Sequence, residues 1–474
     1  MSKPLDLKGN RLNYVALIGV VMPAMMSLGY NQALLGGVLT MDWFQTQFPQ
    51  LDVGNALPAE RHHKSTLQGT VVALYAAGGL LGAIACVAMG DVLGRRRTIT
   101  IATVIHLIGA FLGASSFDLA QLVVSRVILG FGCGGQLATV PIWQSEISPA
   151  KKRGAHVGTA GLFIGMGLAL ALLVDLGMSF ADRSVSWRLP LALPILMCSP
   201  VLTLISRLPE SPRWLVQRGC CSEARGVIAL LRHTTADNHM VEQEIKDVMS
   251  SLAIAGKGSI TQVFQMGHQR LFHRASLAAG GLILVQMTGI NCITLYKRFG
   301  RRSLMLASAV ANTVCMALIA GLSSPATNNI ASHAAVVCMF FFHFSMTVGF
   351  GGIPFLYASE VAPLSLRTTI NGISSGIWWA LNVLIALVTP IAFNSIGWKY
   401  FIIFAALNAV TAPVIYYFYP ETAGLTLEDV DEVFIMSTGV LDTVRVAKQL
   451  KQRPAMYPSQ DDTESGKGNG EALR

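Results

Sequence analysis

Long apolar runs separated by short polar turns set the pattern of this chain. The runs fall at about 13–40, 66–89, 98–116, 119–143, 155–177 and 188–208, and again at 276–296, 303–322, 331–357, 369–394 and 398–419. Several reach or pass the ~18–20 residues that carry a helix across a bilayer. They predict an all-α polytopic membrane protein in a two-bundle arrangement, with about eleven transmembrane helices. The polar stretches divide it further. Residues 1–12 hold Lys3, Lys8 and Arg11 and read as a cytoplasmic N-terminus, and 41–65 reads as an external loop. Residues 13–208 form an N-terminal six-helix bundle. Residues 209–275 are charged, with Ile245, Val248, Met249 and Leu252 at helical spacing, and read as a cytoplasmic linker with short helices. Residues 276–419 form an incomplete C-terminal bundle, and 420–474 a cytoplasmic tail, disordered from about 454.

Composition agrees. The 474 residues are 52% hydrophobic and 13% charged, against about 25% charged in soluble domains. Mean hydropathy is +0.52. The 45 glycines suit helices that pack closely through small residues. A net charge of +9 raises the question of nucleic acid. The basic residues argue against it, because they cluster in short turns: Arg95-Arg96-Arg97, Lys151-Lys152-Arg153, Lys297-Arg298 and Arg301-Arg302. That is the charge bias of cytoplasmic loops, and the partner it implies is the lipid bilayer.

Enzyme chemistry finds little footing. The eight cysteines include no CxxC pair. His62-His63 lies in an external loop with no spaced third ligand, and His106 and His343 sit within apolar runs as packed or cavity-facing groups. No Walker-A pattern occurs. Neither a metal nor a cofactor is expected.

One charged interruption occurs twice. Ser145-Glu146-Ile147-Ser148-Pro149 leads on to Arg153, and Ser359-Glu360-Val361-Ala362-Pro363 leads on to Arg367. In both, Pro follows Glu by three residues and Arg by seven. Gly-Arg-Arg stands at 94–96 and 300–302, and Pro-Glu-Ser/Thr at 209–211 and 420–422. Arg95 to Glu146 is 51 residues and Arg301 to Glu360 is 59; Glu146 to Glu210 is 64 and Glu360 to Glu421 is 61. Equal order and near-equal spacing make these two copies of one six-span unit.

One interval breaks the match. From the first span's start to Gly94 is 81 residues, but from 276 to Gly300 only 24, a deficit of 57. The second half therefore lacks one span and its loop. If 276–296 crosses, Lys297–Arg302 emerges on the outer face, against the positive-inside rule. Either the segment enters and returns, or the protein is a rearranged form, or it is a truncated twelve-span carrier, which is the favoured account.

Taken together, Gly90-Asp91-x-x-Gly94-Arg95-Arg96, Arg126-x-x-x-Gly130-x-Gly132, the Glu146/Pro149/Arg153 hairpin, Pro209-Glu210-Ser211-Pro212-Arg213-Trp214-Leu215, Gln286-x-x-Gly289-Ile290-Asn291 and Pro420-Glu421-Thr422-x-Gly424-Leu425 resemble the sugar porter family of the major facilitator superfamily, over about 13–434, without the segment of its eighth helix. The resemblance implies a carrier at the plasma membrane that moves a small polyhydroxylated substrate, a sugar or polyol, by alternating access. It implies Gln286, Asn291, Trp379 and Asn382 as substrate-binding residues; for each, interhelical packing alone is the alternative reading. Asp91, Arg95, Arg96, Glu146, Arg153 and Glu210, with Arg301, Arg302, Glu360, Arg367 and Glu421, would form the cytoplasmic gate.

Departures from the family pattern matter as much. Where proton-coupled relatives carry Gly-Tyr-Asp and a partner arginine, this chain has Gly29-Tyr30-Asn31 and Arg126. An amide does not titrate, so facilitated transport is expected. Gly161, Val285 and Phe355 replace two glutamines and a tryptophan of the family pattern. The lost contacts leave two further readings open: a sugar sensor that does not transport, and an inactive truncated product.

Overall fold

The computed structural model describes residues 8–255, 260–264, 269–288, 301–324, 329–350, 353–423, 425 and 427–451. Among them there are helices and no strands. The first half contains α1 (Gly9–Val38), α2 (Pro58–Leu93), α3 (Arg95–Ala114), α4 (Leu119–Ile147), α5 (Ala150–Met178) and α6 (Val185–Ile205). The second contains α7 (Leu271–Thr288), α8 (Arg301–Leu322), α9 (Asn329–Phe350), α10 (Ile353–Val361), α11 (Arg367–Ile396) and α12 (Tyr400–Phe418). Nine of the described helices are long and apolar enough to cross a membrane, and the apolar part of α7, Leu271–Leu284, is shorter. Short helices Pro212–Gln217, Cys221–Arg232 and His239–Ala255 lie between the halves, and Leu427–Met436 and Asp442–Lys451 follow α12.

Prolines shape these helices in ways that can be traced residue by residue. In α1 a π-helical stretch, Leu17–Val21, stands just before Pro23. The ring of Pro23 presses on the carbonyl four residues back, that of Gly19, and the widened turn relieves the clash. In α6, Pro194 has no N–H to offer the carbonyl of Pro190. The hydroxyl of Tyr30 on α1 donates to that carbonyl instead, at 3.0 Å. A helix defect thereby becomes a tie between two spans.

Glycines set how closely the helices approach. A Cβ on Gly29 of α1 would stand 1.8 Å from the carbonyl oxygen of Ile164 on α5, and one on Gly167 of α5 would stand 1.9 Å from that of Met26. The two backbones touch, as small residues at a membrane-helix crossing allow.

The two halves meet along α2 and α11. A Cβ on Gly372 would meet Val87 at 2.5 Å, and one on Gly79 would meet the ring of Trp379 at 2.4 Å. Trp378 and Trp379 are among the largest fully buried side chains.

If 276–296 crossed the membrane, Arg301 and Arg302 would lie on the face opposite the start of α7; the contacts of the two helix starts bear on this. Arg274, near the start of α7, pairs with Asp431, and its guanidinium lies 4.5 Å from the ring centre of Phe434. Both partners sit on the helix Leu427–Met436, just after Glu421, and Glu421 caps the start of α8. The starts of α7 and α8 therefore share one face. Residues 289–300, which join them, lie outside the described residues. In repeat terms α7 matches α1 and α8 matches α3.

Candidate functional site

At the end of the molecule where α3 and α8 begin, the repeated motifs fold into two matching clusters. α3 starts directly after Gly94, which has a positive φ of 83°. Its first backbone N–H groups lack intrahelical partners, and Glu210 supplies the acceptor. The carboxylate of Glu210 accepts from Arg95 N at 3.2 Å and from Arg96 N at 3.1 Å. Glu421 does the same for α8, accepting from Arg301 N at 2.9 Å and Arg302 N at 3.1 Å. A carboxylate at a helix N-terminus also meets the positive end of the helix dipole. Burial pushes the carboxyl of Glu210 above its ordinary pKa, against the N–H groups of Ser211 and Arg96 and the charges of Arg95 and Arg96, which lower it.

The second glutamate of each half binds the first arginine. Arg95 Nε donates to Glu146 Oε2 at 3.0 Å, and Arg301 Nη2 donates to Glu360 Oε1 at 2.9 Å. Three residues before each glutamate an aromatic donor reaches the motif's proline: Trp143 Nε1 to Pro209 O at 3.2 Å, and Tyr357 Oη to Pro420 O at 3.2 Å. The repeat read from spacing is thus a repeat of individual hydrogen bonds.

Polar contacts join the halves at this end. Arg367 Nη1, from α11, lies 3.3 Å from Glu146 Oε1. The hydroxyl of Thr368 donates to Asp91 Oδ1 at 2.7 Å, and that oxygen also accepts from Arg95 Nη1 at 3.1 Å. The side chains of Arg95, Glu146 and Arg367 are 1%, 0% and 1% exposed, so this is a buried triad and not a surface pair. Arg301 and Glu360 stay within their own half. Arg96 and Arg302 each turn back to carbonyls of their own half, Ile205 and Tyr416 respectively. The side chain of Arg153 lies outside the described residues.

Three groups in this cluster are additions to the sequence reading. Thr368 crosses between halves. Thr422 donates to Glu360 Oε2 at 2.7 Å. Trp214 Nε1 donates to Asp91 O at 2.9 Å. Trp214 had a signal, since it belongs to the Pro-Glu-Ser-Pro-Arg-Trp run; Thr368 had none beyond its place next to Arg367.

Deeper in, Trp379 is fully buried, with its Nε1 unpartnered among the described residues. Its ring meets Tyr75 edge-on at 5.4 Å. On Tyr75 rests the guanidinium of Arg126, 4.8 Å from the ring centre. Arg126 is 2% exposed, and its Nε and Nη1 have no partner there. The structure does not pair Arg126 with Asn31. The Asn31 amide donates to Ser27 O at 2.8 Å and stands 3.5 Å from His106 Nε2. His106 contacts Ser27 Oγ and Gln136 Oε1, each at 3.1 Å. Asn382 is half-buried and its amide donates to Trp378 O on its own helix, at 3.1 Å. The side chain of Gln286 and all of Asn291 lie outside the described residues.

Comparison with known proteins places this arrangement. The family model described as sugar (and other) transporter matches residues 15–298 and 293–434. The MFS-type transporter oryC of Aspergillus oryzae is 31% identical over 487 aligned positions, covering 93% of this chain and 89% of that protein. The sugar transporter STL1 of Saccharomyces cerevisiae is 28% identical, covering 90% of this chain and 82% of that one. Among solved structures, the proton:xylose symporter XylE bound to 6-bromo-6-deoxy-D-glucose superposes with a TM-score of 0.73 at 20% identity, over 90% of this chain and 100% of that one. With the family model matched across both halves and the fold shared, the chain belongs to the sugar transporter family of the major facilitator superfamily, a multi-pass membrane protein and not an enzyme.

Proposed function

We propose that the chain carries a monosaccharide or related polyhydroxylated solute across the plasma membrane by alternating access, without proton coupling. The observation that carries this reading is the junction of halves. It holds a buried triad of Arg95, Glu146 and Arg367 at one end and, deeper, an interior with unpartnered donors on Trp379 and Arg126. Interior donors without acceptors suit a solute rich in oxygen. The yeast relatives STL1, HXT4 and ght5 are sugar or glucose transporters.

The absence of coupling rests on Asn31. An amide stands where a titrating carboxylate would be needed, and Arg126 rests on the Tyr75 ring. Purified protein in liposomes should exchange D-glucose or D-xylose at a rate that a protonophore leaves unchanged. A collapse of uptake on adding the protonophore would count against this. The route would then run through His106, the titratable group beside Asn31.

An incomplete carrier is the second reading, and it has its own support. The oryC alignment spans 487 positions, more than the 474 residues of this chain, and the family model matches in two pieces that meet at 293–298. Twelve residues, 289–300, separate α7 from α8. A helix of that length rises only about 18 Å, short of the ~30 Å hydrocarbon core. A helical return span does not fit in it. The locus should encode about 57 further residues near Tyr296 and Lys297, the interval deficit between the two halves. Uninterrupted coding sequence there would contradict truncation.

A further inference from the structure

At the end opposite the ion pairs, the last turns of α1 and α5 and the short helix Asp42–Gln47 enclose a cavity of about 480 Å³. Thr40, Asp42, Trp43, Asp175, Ser179 and Asp182 are among its walls. Asp175 stands out. It lies on α5 inside the apolar run from Leu172 to Leu176, it is 6% exposed, and neither carboxylate oxygen has a partner among the described residues. Gly37 on α1 makes room for it: a Cβ there would lie 2.3 Å from Asp175 Oδ2. An ionisable group placed within a membrane span is costly and points to a ligand or a pathway. A carboxylate left without donors inside the protein asks for donors from whatever enters.

The walls narrow the ligand. No lysine or arginine lines this cavity. Among the described residues no group of three His, Cys, Asp or Glu could hold a metal ion. Trp43 is 46% exposed and forms a wall shared with an adjoining cavity of about 440 Å³ that also holds Gln47 and Arg183. An indole face beside acceptor carboxylates suits a ring or chain with carbon on one side and hydroxyls on the other. Aromatic residues also gather at membrane interfaces, but that does not account for Asp175.

We propose that this outer cavity is a docking site for a neutral, hydroxyl-rich solute, with hydroxyls donating to Asp175 and a carbon face resting on Trp43. It is separate from the interior around Trp379. The choice of solute rests on the reading of the chain as a sugar carrier.

Hydrogen exchange on the purified full chain separates the two sites. D-glucose, D-xylose and sorbitol are added singly, and choline is added in parallel. A solute at ten times its dissociation constant slows exchange about tenfold where opening requires its release. Protection by at least one of the three polyols is expected over residues 37–47 and 175–186. It should be lost in Asp175→Asn and, independently, in Gly37→Ala, while any protection near Trp379 remains. Outer protection without protection at Trp379 leaves the docking site standing and removes the carrier reading. Protection at Trp379 alone, protection by choline alone, or no protection at all overturns the docking site.

Discussion

Glu146→Gln is expected to open the cytoplasmic end. Glu146 lies between two guanidiniums, with Arg95 Nε at 3.0 Å and Arg367 Nη1 at 3.3 Å. All three side chains are essentially buried. An amide cannot offset both charges. Removing one member of a buried ion pair costs about 3–5 kcal/mol, because the remaining charge is left uncompensated. Arg95 keeps Asp91, and Arg367 keeps its hydrogen bonds to the Ala362 carbonyl in its own half. The cost falls on the arrangement in which the halves touch here. An arrangement with this end open lets Arg367 reach water, so the balance moves toward it by about two to four powers of ten. The readout is labelling, by a maleimide supplied from the cytoplasmic side, of a cysteine placed at Ser375, a buried position on α11. Labelling should rise at least tenfold in Glu146→Gln. Glu146→Asp keeps the charge and should keep part of the seal. An unchanged rate in folded Glu146→Gln would show that the triad is structural and not a gate.

Trp379 gives the second large effect, and two substitutions separate its roles. Its ring is packed by Tyr75 at 5.4 Å and Trp378 at 4.8 Å. Trp379→Ala removes a fully buried ring and should cost about 3–5 kcal/mol in stability, seen as a large drop in melting temperature. Trp379→Phe keeps most of the packing and removes Nε1–H, which has no described protein partner. If that hydrogen serves a solute, affinity should fall by about 0.5–1.5 kcal/mol, or about two- to twelvefold, with melting nearly unchanged. Equal affinity in parent and Trp379→Phe would leave Trp379 a packing residue only. Gly79→Ala is an independent check, since the added Cβ would stand 2.4 Å from the indole.

The motifs carried much of this architecture in plain view. Glu146 and Glu360, Arg95 and Arg301, and Glu210 and Glu421 recur at matched intervals because each half must satisfy the same orphan N–H groups and the same arginine. That need fixes residue type and spacing, so it is readable. The side of the membrane on which α8 begins was not. Counting spans assumes that each apolar run crosses, and the pairing of Arg274 with Asp431 is a tertiary fact that no spacing encodes. Thr368 was equally silent, because its partner Asp91 lies 277 positions away. His106 reads from the sequence as a packed or cavity-facing group, and the structure sets it 3.5 Å from the Asn31 amide. Asp175 had a signal that went unread: a carboxylate between Val174 and Leu176 is conspicuous in an apolar run. The resemblance implies Asn382 in solute binding; one N–H of its amide donates to Trp378 O on its own helix, and the role stays a proposal.

The central claim is movement of a solute through the junction of the two halves. Entrance counterflow tests it most directly: liposomes holding the full chain are loaded with unlabelled D-glucose or D-xylose and diluted into a trace of the labelled sugar. The account predicts a transient accumulation of label with at least one of the two, insensitive to a protonophore and weakened in Trp379→Phe. Label that enters no faster than in protein-free liposomes, from protein that is folded and protected by the same sugar in hydrogen exchange, would contradict it.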